Sequence, residues 1–423
     1  MEFKKYKIQE IGEVIGGGTP STKKSEYYGG NIPWITPKDL SNFKEVFISE
    51  GERNITEEGL KNSSARTLPS NTVLITSRAP IGYLAIAKNE VTTNQGFKSI
   101  ICNESLVKPL FLYYSLKNDM DKIKSLGTGS TFSEISGKVV KNIEINIPSI
   151  EYQTIIEYIL GNFDKKIELN QKIIANLEEL SKTLFKRWFV DFEFPDENGN
   201  PYKSSGGEMV DSELGKIPKG WECVYLKDIV HHKKDTFNPK KSNESEVKHF
   251  SLPAFDSGQY PTIDNVTDIK SNKWIIDENC ILFSKMNPTT RRIWVTSYNE
   301  NFLNVASSEF VVLKSDNSYR NAFIYNICIS DKFNEYLVSN TTGSTNSRQR
   351  VKPDIAVQYR FAYNEEVSYL LSEKIEPYIQ KIKIIREQNQ NLTQLRDTLL
   401  PKLMSGEIEI PDDIEVNEDE LSI

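Results

Sequence analysis

The sequence predicts an α+β protein: two similar mixed α/β domains separated by an antiparallel coiled coil of two long helices, with pseudo-two-fold symmetry. Three observations predict it. The chain repeats itself at about half its length, each copy opens with short β-like runs, and each copy closes on a long apolar stripe of helical period. At 423 residues the chain has room for two or three domains of about 150 residues each.

The repeat is weak in identity but keeps its order. Thr128-Gly129-Ser130-Thr131 returns as Thr342-Gly343-Ser344-Thr345, 214 residues later. Asn176-Leu177 returns as Asn391-Leu392, and Thr183-Leu184 as Thr398-Leu399, both 215 residues on. The run VLITSRAP at 73–80 matches ILFSKMNP at 281–288, and Asn94-Gln95-Gly96-Phe97 matches Ser307-Ser308-Glu309-Phe310. KIQEIGEV at 7–14 resembles LKDIV at 226–230. The near-constant offset points to a duplicated domain, and the period is too long for a solenoid.

Residues 1–150 form the first domain. NIPWIT, TVLITS, GYLAIA and FKSIIC read as strands, and VKPLFLYYSLKNDMDKIKS as helix. Residues 151–190 carry apolar side chains in steps of three and four: Ile156, Ile159, Phe163, Ile167, Ile173, Leu177, Leu180 and Leu184. That is a coiled-coil seam, interrupted by Asn170. Residues 191–220, rich in Pro, Gly, Ser and acid, read as the linker between copies, following an ordered surface path. Residues 221–365 form the second domain, with strands WIIDENCILFS, RRIWVTS and EFVVL and the helical stretch SYRNAFIYNICISDKFNEYLVS. Residues 366–406 repeat the stripe with Ile375, Ile379, Ile382, Ile385, Leu392, Leu395, Leu399 and Leu403, interrupted by Asn389. Each seam asparagine either sets register or is tolerated near the helix surface. A helix of about 37 residues spans roughly 55 Å and cannot bury its stripe alone, so the two are expected to pack on each other.

Charge is unevenly distributed. The formal net charge is −7, but residues 407–423 hold eight acids and no Lys or Arg; without them the body is +1. An acidic solvated tail beside a near-neutral body leaves room for local basic patches. The 38% apolar and 26% charged composition excludes a disordered or collagen-like chain. Four scattered cysteines without a CxxC pair fit a reducing compartment. No apolar run approaches a membrane span, and the opening residues lack the apolar core of a secretory signal.

Catalytic signatures are missing. The Gly16–Gly18 run lacks the phosphate-loop pattern and is expected to be a flexible loop. Asn287-Pro288-Thr289 has only half of an adenine methyltransferase motif, and no glycine-rich cofactor fingerprint precedes it. GxSxG, HExxH and EF-hand patterns do not occur, so the expectation is a non-catalytic chain with no metal or cofactor of its own.

Two sibling domains held apart by a stiff rod suit a ligand with its own repeat, and double-stranded DNA offers equivalent elements about 34–36 Å apart. Cation-bearing polar loops are the candidate readers. In the first copy they are Lys23, Lys24, Thr36, Lys38, Arg78 and the loop Thr128, Gly129, Ser130. In the second they are Lys285, Asn287, Arg291, Arg292, the loop Thr342, Gly343, Ser344, and then Arg348 and Arg350. Arg and Lys read guanine edges, Asn reads adenine, and hydroxyls and backbone amides hold phosphates. A competing reading is a protein–protein adaptor with two β-rich domains on a coiled coil. Sequence- and salt-dependent DNA binding separates the two.

Several stretches resemble the specificity subunit of type I restriction–modification systems. They are Gly18-Thr19-Pro20-Ser21 with Trp34-Ile35-Thr36-Pro37-Lys38-Asp39-Leu40; Leu177 through Phe192, including Leu184-Phe185-Lys186-Arg187-Trp188-Phe189; Glu213 through Trp221; and Leu395 through Ile408. The resemblance covers nearly the whole chain. It implies that 1–150 and 221–365 are target-recognition domains, each reading one half of a bipartite, asymmetric DNA site. It implies that the helices dock two methyltransferase subunits, with Leu177, Leu180, Leu184, Leu392, Leu395 and Leu399 as candidate docking residues. S-adenosylmethionine would belong to those methyltransferase partners, ATP and Mg to restriction and translocase subunits, and the whole complex to the cytoplasm.

Overall fold

A computed structural model describes residues 2–41, 43–128, 133–232, 235–278, 280–297, 301–315, 317–343, 349–408 and 410. The chain forms two compact units, one built from residues 1–169 with 391–423 and the other from 170–390. The long helices Ile150–Phe189 and Glu365–Ser405 each contribute a segment to both.

In the first unit the ribbon Lys4–Lys7 with Glu144–Ile147 leads through the one-turn helix Ile8–Ile11 into a five-stranded sheet. Its order is Gly12–Gly16, Lys98–Cys102, Val73–Ser77, Ile81–Ala87, Phe47–Ile48, antiparallel except for the last pair. Every residue of Val73–Ser77 is buried. The strand explains its own unbroken apolar run: Val73 and Ile75 face a core with Phe111 and Leu112, whereas Leu74 faces another with Ile35 and Phe97. A second, three-stranded sheet pairs Tyr28–Ile35 antiparallel with Arg53–Ile55 and parallel with Thr92–Thr93.

The second unit repeats this plan. The ribbon Glu222–Tyr225 with Arg360–Tyr363 leads through the one-turn helix Leu226–Ile229 into the sheet His231–His232, Phe310–Lys314, Ile281–Ser284, Ile293–Val295. Ile281–Ser284 is again wholly buried, with Ile281 and Phe283 on one core and Leu282 on the other. The units diverge in the second sheet, which here has five strands around the parallel pair Glu246–Phe250 and Leu303–Ser307. Fold class and repeat are thus as expected from the sequence.

Within each unit the long helices pack antiparallel. In the first, Tyr152 donates from its hydroxyl to the Ile408 carbonyl at 3.3 Å and Arg396 pairs with Asp164, which also accepts from Tyr114 at 2.6 Å. In the second, the two seam asparagines meet: Asn170 Nδ2 donates to Asn389 Oδ1 at 2.7 Å and to Gln388 Oε1 at 3.0 Å, both asparagines being buried. One turn further, Arg386 donates to Glu178 at 2.8 Å. The asparagines are therefore buried partners and not surface passengers.

One expectation needs correction. Leu180 and Leu395 were assigned to the seam but are 55% and 52% exposed, and Ser181 and Phe185 are buried in place of Leu180. Steps of three and four drift against the 3.6-residue turn, so a stripe counted from one end slides off the buried face. The linker also carries structure of its own, the hairpin Met209–Ser212 with Gly215–Pro218. Phe194 and Trp221 bury beside Phe189, with Phe194–Trp221 ring centroids 5.1 Å apart and Phe189–Trp221 5.0 Å apart, which anchors the segment to the core of the second unit. The acidic tail beyond Ile410 lies outside the described residues. Among the described residues no helix is long and apolar enough to cross a membrane.

Candidate nucleic-acid interface

The described residues that flank the repeated Thr-Gly-Ser-Thr motifs pair in the same way in both units. In the first, Thr128 and Glu134 exchange backbone hydrogen bonds at 3.0 and 3.1 Å, and Ile135 N–H donates to the Ser77 carbonyl at the end of the buried strand. Ser77 N–H in turn donates to the Gly96 carbonyl at 2.7 Å. In the second, Thr342 and Arg350 exchange bonds at 2.9 Å, Val351 N–H donates to the Lys285 carbonyl, and Lys285 N–H donates to the Glu309 carbonyl at 3.0 Å. One backbone frame therefore holds Ser77, Gly96 and Glu134 in one copy and Lys285, Glu309 and Arg350 in the other. Gly129, Ser130, Ser344 and Arg348 lie outside the described residues; Gly343 is described and adopts φ +131°, a backbone setting that glycine alone takes readily.

Side chains on the two frames differ. In the first unit Arg78 Nη1 lies 3.4 Å from Glu134 Oε2 and Lys98 Nζ 4.0 Å from Glu134 Oε1. Burial pulls the Lys98 ammonium below its usual range, with Glu134 acting against that shift. In the second unit Lys285 Nζ donates to the Ser308 carbonyl at 2.6 Å, and Arg350 Nη2 lies 3.3 Å from Glu309 Oε1. Among the described residues each cluster sets two cations beside one carboxylate. Sequence reading missed Lys98, Glu134 and Glu309, although the aligned NQGF and SSEF segments already marked position 309.

Other candidates are committed elsewhere. Thr36 caps the helix Pro37–Leu40, its backbone N–H and its hydroxyl both donating to Asp39 Oδ2 at 2.7 and 2.6 Å. Lys38 pairs with Glu52 at 2.5 Å, Lys24 donates to the Tyr27 hydroxyl at 2.9 Å, and Lys23 is exposed. Arg291 lies 2.8 Å from Asp331, which Lys182 also approaches at 3.1 Å, and the two cations hold the Asp331 carboxyl below its ordinary value. Arg292 grips Asp256 with both ends of its guanidinium, at 2.7 and 3.0 Å. Asn287, at φ +44°, accepts from Thr289 and shapes its own turn. Arg291 and Arg292 thus tie the strand Ile293–Val295 to neighbouring elements, and a bidentate pair leaves few donors for a ligand.

The glycine run is not a flexible loop. Gly17 and Gly18 N–H groups donate to the Phe97 and Thr93 carbonyls at 3.4 and 2.9 Å, and Trp34 Nε1 donates to the Gly18 carbonyl at 3.0 Å. A Cβ on Gly17 would collide with the Asn94 carbonyl, and one on Gly18 with the Ala65 backbone nitrogen. Glycine is required by close approach of backbones, and Thr19, bonded to Gln95, continues the same packed path. Among the described residues no group of three His, Cys, Asp or Glu is arranged to hold a metal ion.

Residues 1–179 match a family model described as "Type I restriction modification DNA specificity domain". The chain is 36% identical over 416 residues to the type I restriction enzyme MjaIX specificity subunit of Methanocaldococcus jannaschii, covering 96% of this chain and 93% of that one. It is 24% identical to the type I restriction enzyme HindI specificity subunit of Haemophilus influenzae, over 74% of this chain and 80% of that one. The fold is similar to a crystal structure of a type I restriction–modification S subunit from M. genitalium, with TM-score 0.56, 15% identity, and coverage of 98% and 97%.

Proposed function

Since the chain belongs to the type I restriction-enzyme specificity subunits, whose task is DNA sequence recognition, we propose that it reads a bipartite, asymmetric DNA site, one half with each unit. The observation that carries this reading is the recurrence of one backbone frame with different side chains on it. A shared frame presents its rim to DNA in the same manner, and non-identical side chains there select different bases. Arg78 and Lys98 serve in one unit, Lys285 and Arg350 in the other, as guanine or phosphate partners. Glu134 and Glu309 hold these cations in position and, once released, can accept from a cytosine amino group.

The long helices supply the spacer and the docking scaffold for two methyltransferase subunits, and restriction subunits join that complex in the cytoplasm. Leu180 and Leu395 are exposed, so both side chains are open to a docking partner. Leu177, Leu184, Leu392 and Leu399 are half-buried and contribute only an edge. The chemistry resides with the partners: S-adenosylmethionine with the methyltransferases, ATP and Mg with the translocase.

The test is a domain exchange. Residues 1–150 are replaced by the corresponding part of another family member, the complex is assembled with its methyltransferase subunits, and methylated adenines are mapped across a genome. One half of the methylated motif should change while the other stays. A change in both halves would end the independent-reader model.

A further inference from the structure

In the first unit the Gly16–Gly18 run and the segment Asn94-Gln95-Gly96-Phe97 build one tight corner. Phe97 N–H donates to the Asn94 carbonyl at 3.2 Å, and Asn94 Oδ1 accepts from Gly96 N–H at 2.8 Å. The turn leaves Gln95 exposed at its tip. The backbones of Gly17 and Gly18 lie against this turn, bonded to the Phe97 and Thr93 carbonyls, and so carry Thr19 to Gln95. There the Thr19 hydroxyl donates to Gln95 Oε1. Among the described residues the Gln95 amide NH2 makes no hydrogen bond.

Strand register places this amide. Val73 pairs antiparallel with Ile100 and Thr76 with Phe97, and Ser77 N–H donates to the Gly96 carbonyl at 2.7 Å. One residue further, the same register sets Gln95 opposite Arg78, on the same face. Lys98 Nζ reaches the Phe97 carbonyl at 3.4 Å, and Glu134 lies beside both cations. In the second unit the equivalent register sets Met286 opposite Ser308, a thioether and a short hydroxyl. An amide whose oxygen is engaged offers a neutral N–H donor, and beside cations the acceptor it suits is an anionic oxygen. Most protein–DNA hydrogen bonds end on phosphate or sugar, and these set register without reading sequence.

We infer that Gln95 is a positioning contact to the DNA backbone. Its amide NH2 donates to a phosphate oxygen of the half-site met by the first unit, and Thr19 holds the amide in that orientation. This contact presupposes the DNA-reading role proposed for the rim, and it adds anchorage without base choice.

Binding is measured with the full chain assembled with its methyltransferase subunits, on a duplex carrying the methylated motif found by genome mapping. Gln95→Ala should weaken binding about tenfold, the scale of one hydrogen bond to a charged acceptor, with motif and salt slope unchanged. Gln95→Glu still accepts from Thr19, so it preserves any structural role. It has no donor and repels phosphate, and it should weaken binding more than alanine does. Urea unfolding checks that both variants fold. Thr19→Ala should weaken binding by itself and change nothing further in the Gln95→Ala background. Parent-like binding by Gln95→Glu, a relaxed base in the motif of Gln95→Ala, or additive losses from Thr19 and Gln95 would overturn the contact. If the parent complex itself ignores sequence and salt, the DNA-reading role of the rim falls, and this contact with it.

Discussion

Replacing Glu157 by Gln probes a buried carboxyl that holds a helix start in the first unit. Glu157 Oε1 accepts from the Phe111 N–H at 2.9 Å, beside Gln153 Oε1, which accepts from the Lys108 N–H at 2.8 Å. Together they satisfy the unpaired amides that open the helix Pro109–Asn118. Burial outweighs these bonds and Lys108 at 3.8 Å, and pushes the Glu157 carboxyl from 4.5 to about 7. Below pH 4.5 the group is protonated in both folded and unfolded chains, and its favourable contribution is fully present. Between 4.5 and 7 the unfolded chain ionises first, so the native state binds more protons and stability falls as pH rises. At 1.36 kcal/mol per unit the loss amounts to about 3 kcal/mol and levels off above pH 7. Gln keeps the acceptor oxygen and cannot ionise. The variant and the parent should therefore unfold in urea with equal stability at the acidic end, and the variant should gain about 3 kcal/mol over the parent by neutral pH. Hydrogen exchange across Pro109–Asn118 locates the effect in that unit. Stability curves that stay parallel from acid to neutral pH would refute the reasoning.

Asn170→Leu alone should cost about 1–3 kcal/mol, because it strands the buried Asn389 carboxamide; Asn170→Leu with Asn389→Leu should recover most of that loss. A double variant as unstable as the sum of the singles, in urea unfolding, would contradict the pairing. Arg292→Ala should destabilise the second unit by about 1–3 kcal/mol through Asp256, while the salt dependence of DNA binding stays unchanged. Lys285→Ala should instead lower the salt slope by about one. The opposite pattern would return Arg292 to the interface and remove Lys285 from it.

Much of the fold was legible because it rests on local patterns. VLITS and ILFS announce buried strands by unbroken apolar runs, and the duplicated order of motifs marks two copies of one topology. The helical stripes were equally visible, yet counting along them misplaced Leu180 and Leu395, since a phase error grows along a helix with nothing in the sequence to reset it. The candidate site was legible only in part. Repeated Thr-Gly-Ser-Thr motifs led to a backbone frame that both units share, but Arg291 and Arg292 looked as available as Lys285. Their carboxylate partners, Asp331 and Asp256, lie 40 and 36 residues away in sequence.

The sequence by itself determined the duplication, the placement of strands and long helices, the family likeness and the absence of known catalytic signatures. All of these depend on residue type and short-range period. Tertiary structure decided which charges remain free to meet a ligand. Only folding brings Arg78 to Glu134, Arg350 to Glu309 and Asn170 to Asn389. The energy of a charged or polar group is set by whatever is packed against it within a few ångströms, and those neighbours come from distant parts of the chain.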